Sequence, residues 1–185
     1  MLALACVFHL LQIEHQRDPW KAGLWAWAFG LLALAAALGA VAHGFKMSPA
    51  VNLRFWQPLN LALGLVVALF VVGVVYDVWG LGVAQNGPAG DAGDWRSLFG
   101  VTLVFPGIFL VFILYEAAAM LFALGAYGWL AVTGQLPGAS WMAAGVLVTL
   151  IAAAVQTLWD GKTRPLTFIW QFDQNGLYHL IQMVG

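Results

Sequence analysis

Charge is what this chain has least of. Of its 185 residues, 7 are Lys or Arg and 8 are Asp or Glu, which is 8%, where soluble domains carry about a quarter. A water-exposed surface cannot be assembled from so few acids and bases, so most side chains must face lipid or one another. The net charge of −1 argues against nucleic acid as a partner, because phosphate binding needs clustered Lys and Arg. A single cysteine, Cys6, excludes an internal disulfide. No basic segment precedes the apolar run that starts at Leu2. Residues 2–14 therefore read as a short first helix rather than an export signal. Internal repeats and a second domain are also absent.

What is present is hydrophobic: 63% of the residues are apolar and the mean hydropathy is +0.88. Apolar runs at 22–45, 58–79 and 139–159 stand clear of their neighbours, and a last run covers 166–185. Each is close to the 20 or so residues a membrane crossing needs. Asp18-Pro19 precedes the second run as a helix start, Ser48-Pro49 closes it, and 80–94 is the longest polar loop.

The stretch 96–132 is too long for one crossing, at about 55 Å of helix against a hydrocarbon core of about 30 Å. Pro106-Gly107 interrupts it. The spacing predicts a short helix at 96–105, a turn, and a span at 108–132. The fold expected is an all-α polytopic membrane bundle of seven spans, or six if that dipeptide only kinks a helix. Tryptophans such as Trp20, Trp56, Trp79, Trp141 and Trp159 lie near the ends of the runs, where an interfacial belt would place them. The distribution of Lys and Arg over the loops does not fix the orientation.

Ionisable and polar groups at membrane depth are costly and so mark candidate sites. In the last run Gln171, Gln174, Asn175, Tyr178, His179 and Gln182 recur at spacings of three and four, which on a helix makes one polar stripe. It has no Lys or Arg, so it reads as facing the bundle interior rather than as a surface-lying amphipathic face. Elsewhere there are His43 at the end of the second run, His9 and Gln12 in the first, Asp77 ending the third, Glu116 and Gln156. His43 and His179 suit metal ligation or an interhelical hydrogen bond. Glu116 suits a ligand, a proton carrier or a neutral buried acid. Asp77 reads as an interfacial loop cap, and Asp173 as a carboxylate at a positive helix end. Gly39 with Gly44, and Gly125 with Gly128, read as close-packing positions.

The segment from Phe172 to Gln182, together with His43-Gly44-Phe45, resembles an uncharacterised bacterial multi-span membrane family. That family in turn is similar to the alkaline-ceramidase and progestin-receptor-like superfamily of seven-helix proteins. The resemblance implies a zinc-dependent hydrolase of a lipid amide or ester in a bacterial inner membrane. His43 would match the histidine of the second helix, and His179 the second histidine of a final His-x-x-x-His pair. Gly39 stands where a serine is expected, Asn175 replaces the first histidine of the pair, and no aspartate begins the third span. Asparagine is a weak zinc ligand, so a third ligand would have to come from Asp173, Glu116, Asp77 or His9, with Asp173 or Glu116 as the third ligand or general base of the hydrolase reading.

Three functions compete: a non-enzymatic sensor or structural subunit, a metal-dependent lipid hydrolase, and a small-molecule transporter. The partners expected are membrane lipid or a lipid-like small molecule.

Overall fold

The computed structural model describes residues 2–14, 18–86, 109–158, 166–167, 171–172 and 181. Six helices occur among them: α1 (Leu2–Glu14), α2 (Pro19–Gly44), α3 (Pro49–Trp79), α4 (Leu81–Asn86), α5 (Phe109–Thr133) and α6 (Ala139–Leu158). Three contain stretches long and apolar enough to cross a membrane, Pro19–Ala42, Pro49–Trp79 and Val111–Thr133. Shorter apolar helical stretches run over Ala3–Gln12 and Ala139–Val155. The chain forms two compact units, Met1–Glu116 and Ala117–Gly185.

Helix limits follow local chemistry. Asp18 caps α2, its side chain accepting the Lys21 backbone N–H at 3.1 Å, and Pro19 occupies the first turn. Proline fits there because its missing N–H would have no helical partner. Ser48-Pro49 does the same for α3, with the Ser48 hydroxyl accepting from Val51 N at 3.4 Å. The third helix thus begins at Pro49 rather than at the expected 58, and Pro58 lies inside it. At the other end Gly80 adopts a φ of 85°, and its N–H closes on the Tyr76 carbonyl at 2.8 Å. Glycine takes that conformation without a Cβ penalty. Of the expected polar loop 80–94, the first part is the short helix α4, and 87–94 lie outside the described residues.

In the first unit α2 packs along α3, and α1 packs on α2. Partners on α2 and α3 run in opposite directions: Lys21 meets Asp77, Trp25 meets Phe70 and Gly73, Gly39 meets Leu59, and Ala42 meets Asn52. The pair is therefore an antiparallel hairpin. Its closest approach is at Gly73, where an added Cβ would stand 2.8 Å from Trp25 Cζ2. Trp25 also packs edge-on to Phe70, with centroids 5.9 Å apart. Val71, Val72, Gly73, Val74 and Val75 are all buried, a run longer than one turn, so α3 is enclosed on every side there. A Cβ added at Gly39 would stand 3.4 Å from Leu59 Cδ1, in keeping with close packing at that position. Beside Gly125 and Gly128 nothing comes within 4 Å among the described residues.

In the second unit α5 ends one residue past the expected 132 and α6 covers 139–158 of the expected 139–159. Between them Gly134 and Gly138 have φ of 67° and 88°. Tyr127, Leu130 and Ala123 are fully buried on α5.

The helix expected over 166–185 is contradicted at its start. Leu166–Thr167 pairs antiparallel with Gln171–Phe172, in the register Leu166 with Phe172 and Thr167 with Gln171. The local sequence Thr-Phe-Ile-Trp-Gln-Phe is rich in aromatic and β-branched residues, which suit extended pairing better than a helix. The expected helix 96–105 and the turn at Pro106-Gly107 lie outside the described residues.

Candidate functional site

Two short polar-aromatic segments meet at the base of the hairpin: Asp18-Pro19-Trp20-Lys21 opening α2 and Tyr76-Asp77 closing α3. Asp18 uses one carboxylate oxygen for the Lys21 N–H and the other to accept the Tyr76 hydroxyl. Trp20 stacks on the Tyr76 ring, with centroids 5.2 Å apart and planes inclined by 22°. The Lys21 ammonium donates to Asp77 Oδ1 and lies 5.6 Å from the Tyr76 ring centroid, within the range of a cation–π contact. The Asp77 side chain is only 5% exposed and that of Lys21 31%. The lysine stem therefore covers apolar surface while its head reaches the rim.

This arrangement joins the two helices. Both carboxylates receive donors, and the phenol donates its hydrogen bond to Asp18. The bond from Tyr76, aided by the Lys21 N–H and charge, holds the Asp18 carboxyl below the usual carboxylate range. A depressed folded-state pKa adds stability that is complete above the unfolded value, about 3.9. That stability is lost as pH falls through the folded value. In thermal unfolding of the detergent-solubilised chain, the gap between wild type and Asp18→Asn should be constant from pH 8 to 5. It should narrow below about pH 4, because asparagine still caps the helix but carries no charge to lose.

Few of the expected site residues fall among the described ones. His43 belongs by its backbone to the last turn of α2, and its imidazole is outside the described atoms. Glu116 is half-buried on α5. Gln171 lies in the extended ladder rather than on a helix. Asp173, Gln174, Asn175, Tyr178, His179 and Gln182 are outside the described residues, as is the Gln156 side chain. His9 is exposed on α1. No gathering of three His, Cys, Asp or Glu groups fit for a metal occurs among the described residues. Asp77 is not a free loop cap but the buried partner of Lys21. The hint available in the sequence was an aromatic residue beside an acid at matching ends of two adjacent apolar runs.

A family model matches the chain over residues 1–185. The chain belongs to DUF6962, a family of unknown function. No curated protein and no solved structure matches it.

Proposed function

We propose that this chain is a multi-pass membrane protein with a non-catalytic role, as a sensor or an assembly subunit in a bacterial cytoplasmic membrane. The α2–α3 hairpin is its rigid frame, and membrane lipid or a lipid-like molecule is its partner. The observation that carries this reading is the polar clamp. The acids and the tyrosine at the hairpin base bond to one another, which suits a fixed strut rather than a reactive centre. The metal-hydrolase reading rests on the resemblance through His43 and His179, with Asp173 or Glu116 completing a zinc site.

Metal analysis of the purified full chain separates the two. We expect no stoichiometric zinc, and a melting temperature unchanged by chelation. One zinc per chain, with a chelator lowering the melting temperature, would overturn the non-catalytic reading, because structural and catalytic zinc alike stabilise the fold that binds them.

A further inference from the structure

Among the described side chains, the two ends of the α2–α3 hairpin carry opposite charge. Between Lys21 and Lys46 on α2 and its exit, no Asp, Glu, Lys or Arg occurs, and none occurs between Arg54 and Asp77 on α3. Residues 55–76 form about 33 Å of helix at about 1.5 Å per residue, which matches a hydrocarbon core of about 30 Å. The whole of α3, 31 residues, would be about 46 Å long, so its first turns project past the core on the tip side. Among the described side chains the base holds two carboxylates and one ammonium, the latter bound to Asp77. The tip holds only cations: Lys46 and Arg54 are both exposed, and neither pairs with an acid among the described residues. Beside them Phe45 is 66% exposed and Leu53 58%, with Val51 exposed as well.

Exposed apolar side chains next to unpaired cations, just beyond a span, are what an acidic lipid surface recognises. We propose that the α2–α3 tip binds anionic phospholipid headgroups. Lys46 and Arg54 engage their phosphates, and Phe45, Val51 and Leu53 rest at the acyl boundary. The tip therefore faces the anionic, cytoplasmic leaflet, and the Asp18–Tyr76–Lys21–Asp77 base faces the opposite surface. At the base Lys21 is paired with Asp77, whereas Lys46 and Arg54 have no acid partner among the described residues.

This inference rests on the membrane reading, and the test keeps the two apart. The full chain would be reconstituted in nanodiscs of phosphatidylcholine containing about a third phosphatidylglycerol, and retained lipid counted by native mass spectrometry. Juxtamembrane cations contribute roughly a factor of five each to anionic-lipid attraction. Wild type should therefore retain phosphatidylglycerol in preference, and Lys46→Gln with Arg54→Gln should cut that preference roughly thirtyfold. Lys21→Gln should leave it unchanged. Equal retention by wild type and the double variant, or no enrichment in wild type, overturns the lipid tip alone. A chain released from membranes by alkaline carbonate and refusing nanodisc insertion would overturn the membrane reading instead.

Discussion

Gly73→Ala is expected to destabilise the protein by about 1–3 kcal/mol, the usual cost of forcing a methyl group into a packed contact. The methyl would stand 2.8 Å from Trp25 Cζ2 and 3.1 Å from Leu24 Cδ2, and the indole cannot retreat easily. Trp25 is held by its edge contact with Phe70 at 5.9 Å and by Phe29 at 6.4 Å. Between helices in lipid, where no water is released on association, this closeness of backbones is itself the source of the attraction. Removing the ring should remove the clash. Trp25→Ala costs about 3–5 kcal/mol by itself, but in that background Gly73→Ala should be nearly neutral. A double-mutant cycle measured by detergent unfolding reads the coupling directly. Additive losses would mean that the two helices do not meet at Gly73.

The second large effect is at the base. Lys21→Met leaves the Asp77 carboxylate, 5% exposed, without its counter-charge. Breaking one side of a buried ion pair typically costs 3–5 kcal/mol. Because the Lys21 side chain is 31% exposed and water can replace part of the lost partner, a loss of about 1–3 kcal/mol is expected. The double variant Lys21→Met with Asp77→Asn should recover most of it, since an uncharged amide no longer needs a cation. Thermal unfolding of the four proteins at neutral pH checks this. Recovery that fails would show that the acid has another role at the base than pairing with Lys21.

Much of the helical architecture could be read from the chain, because it depends on short-range rules. The limits of α1, the Asp18-Pro19 start of α2, and the extents of α5 and α6 follow from apolar length, caps and proline position. The start of α3 at Pro49 precedes the apolar run at 58 because the turns before that run carry the polar Asn52, Arg54 and Gln57. Ser48-Pro49 ended one run and equally began the next, and a helix can continue beyond the hydrocarbon core it crosses. The start of the last segment departs for a different reason. A stripe at spacings of three and four presupposes a helix, and the extended pairing of Thr167 with Gln171 breaks that premise at its first member. The clamp was illegible in detail, since Asp18 and Tyr76 are 58 positions apart. Each residue had a sufficient local explanation, a helix start for one and a span end for the other.

The central claim is that α2 and α3 form a membrane-crossing hairpin whose clamped base and cationic tip lie on opposite sides. Cys6 is the single cysteine, so Cys6→Ser provides a clean background for Ser48→Cys at the exposed tip and Gln85→Cys on α4, just past the base. Membrane-impermeant maleimide applied to intact cells should label Gln85→Cys at once and reach Ser48→Cys only after permeabilisation. Labelling of both positions from the same side would contradict the hairpin as a crossing unit.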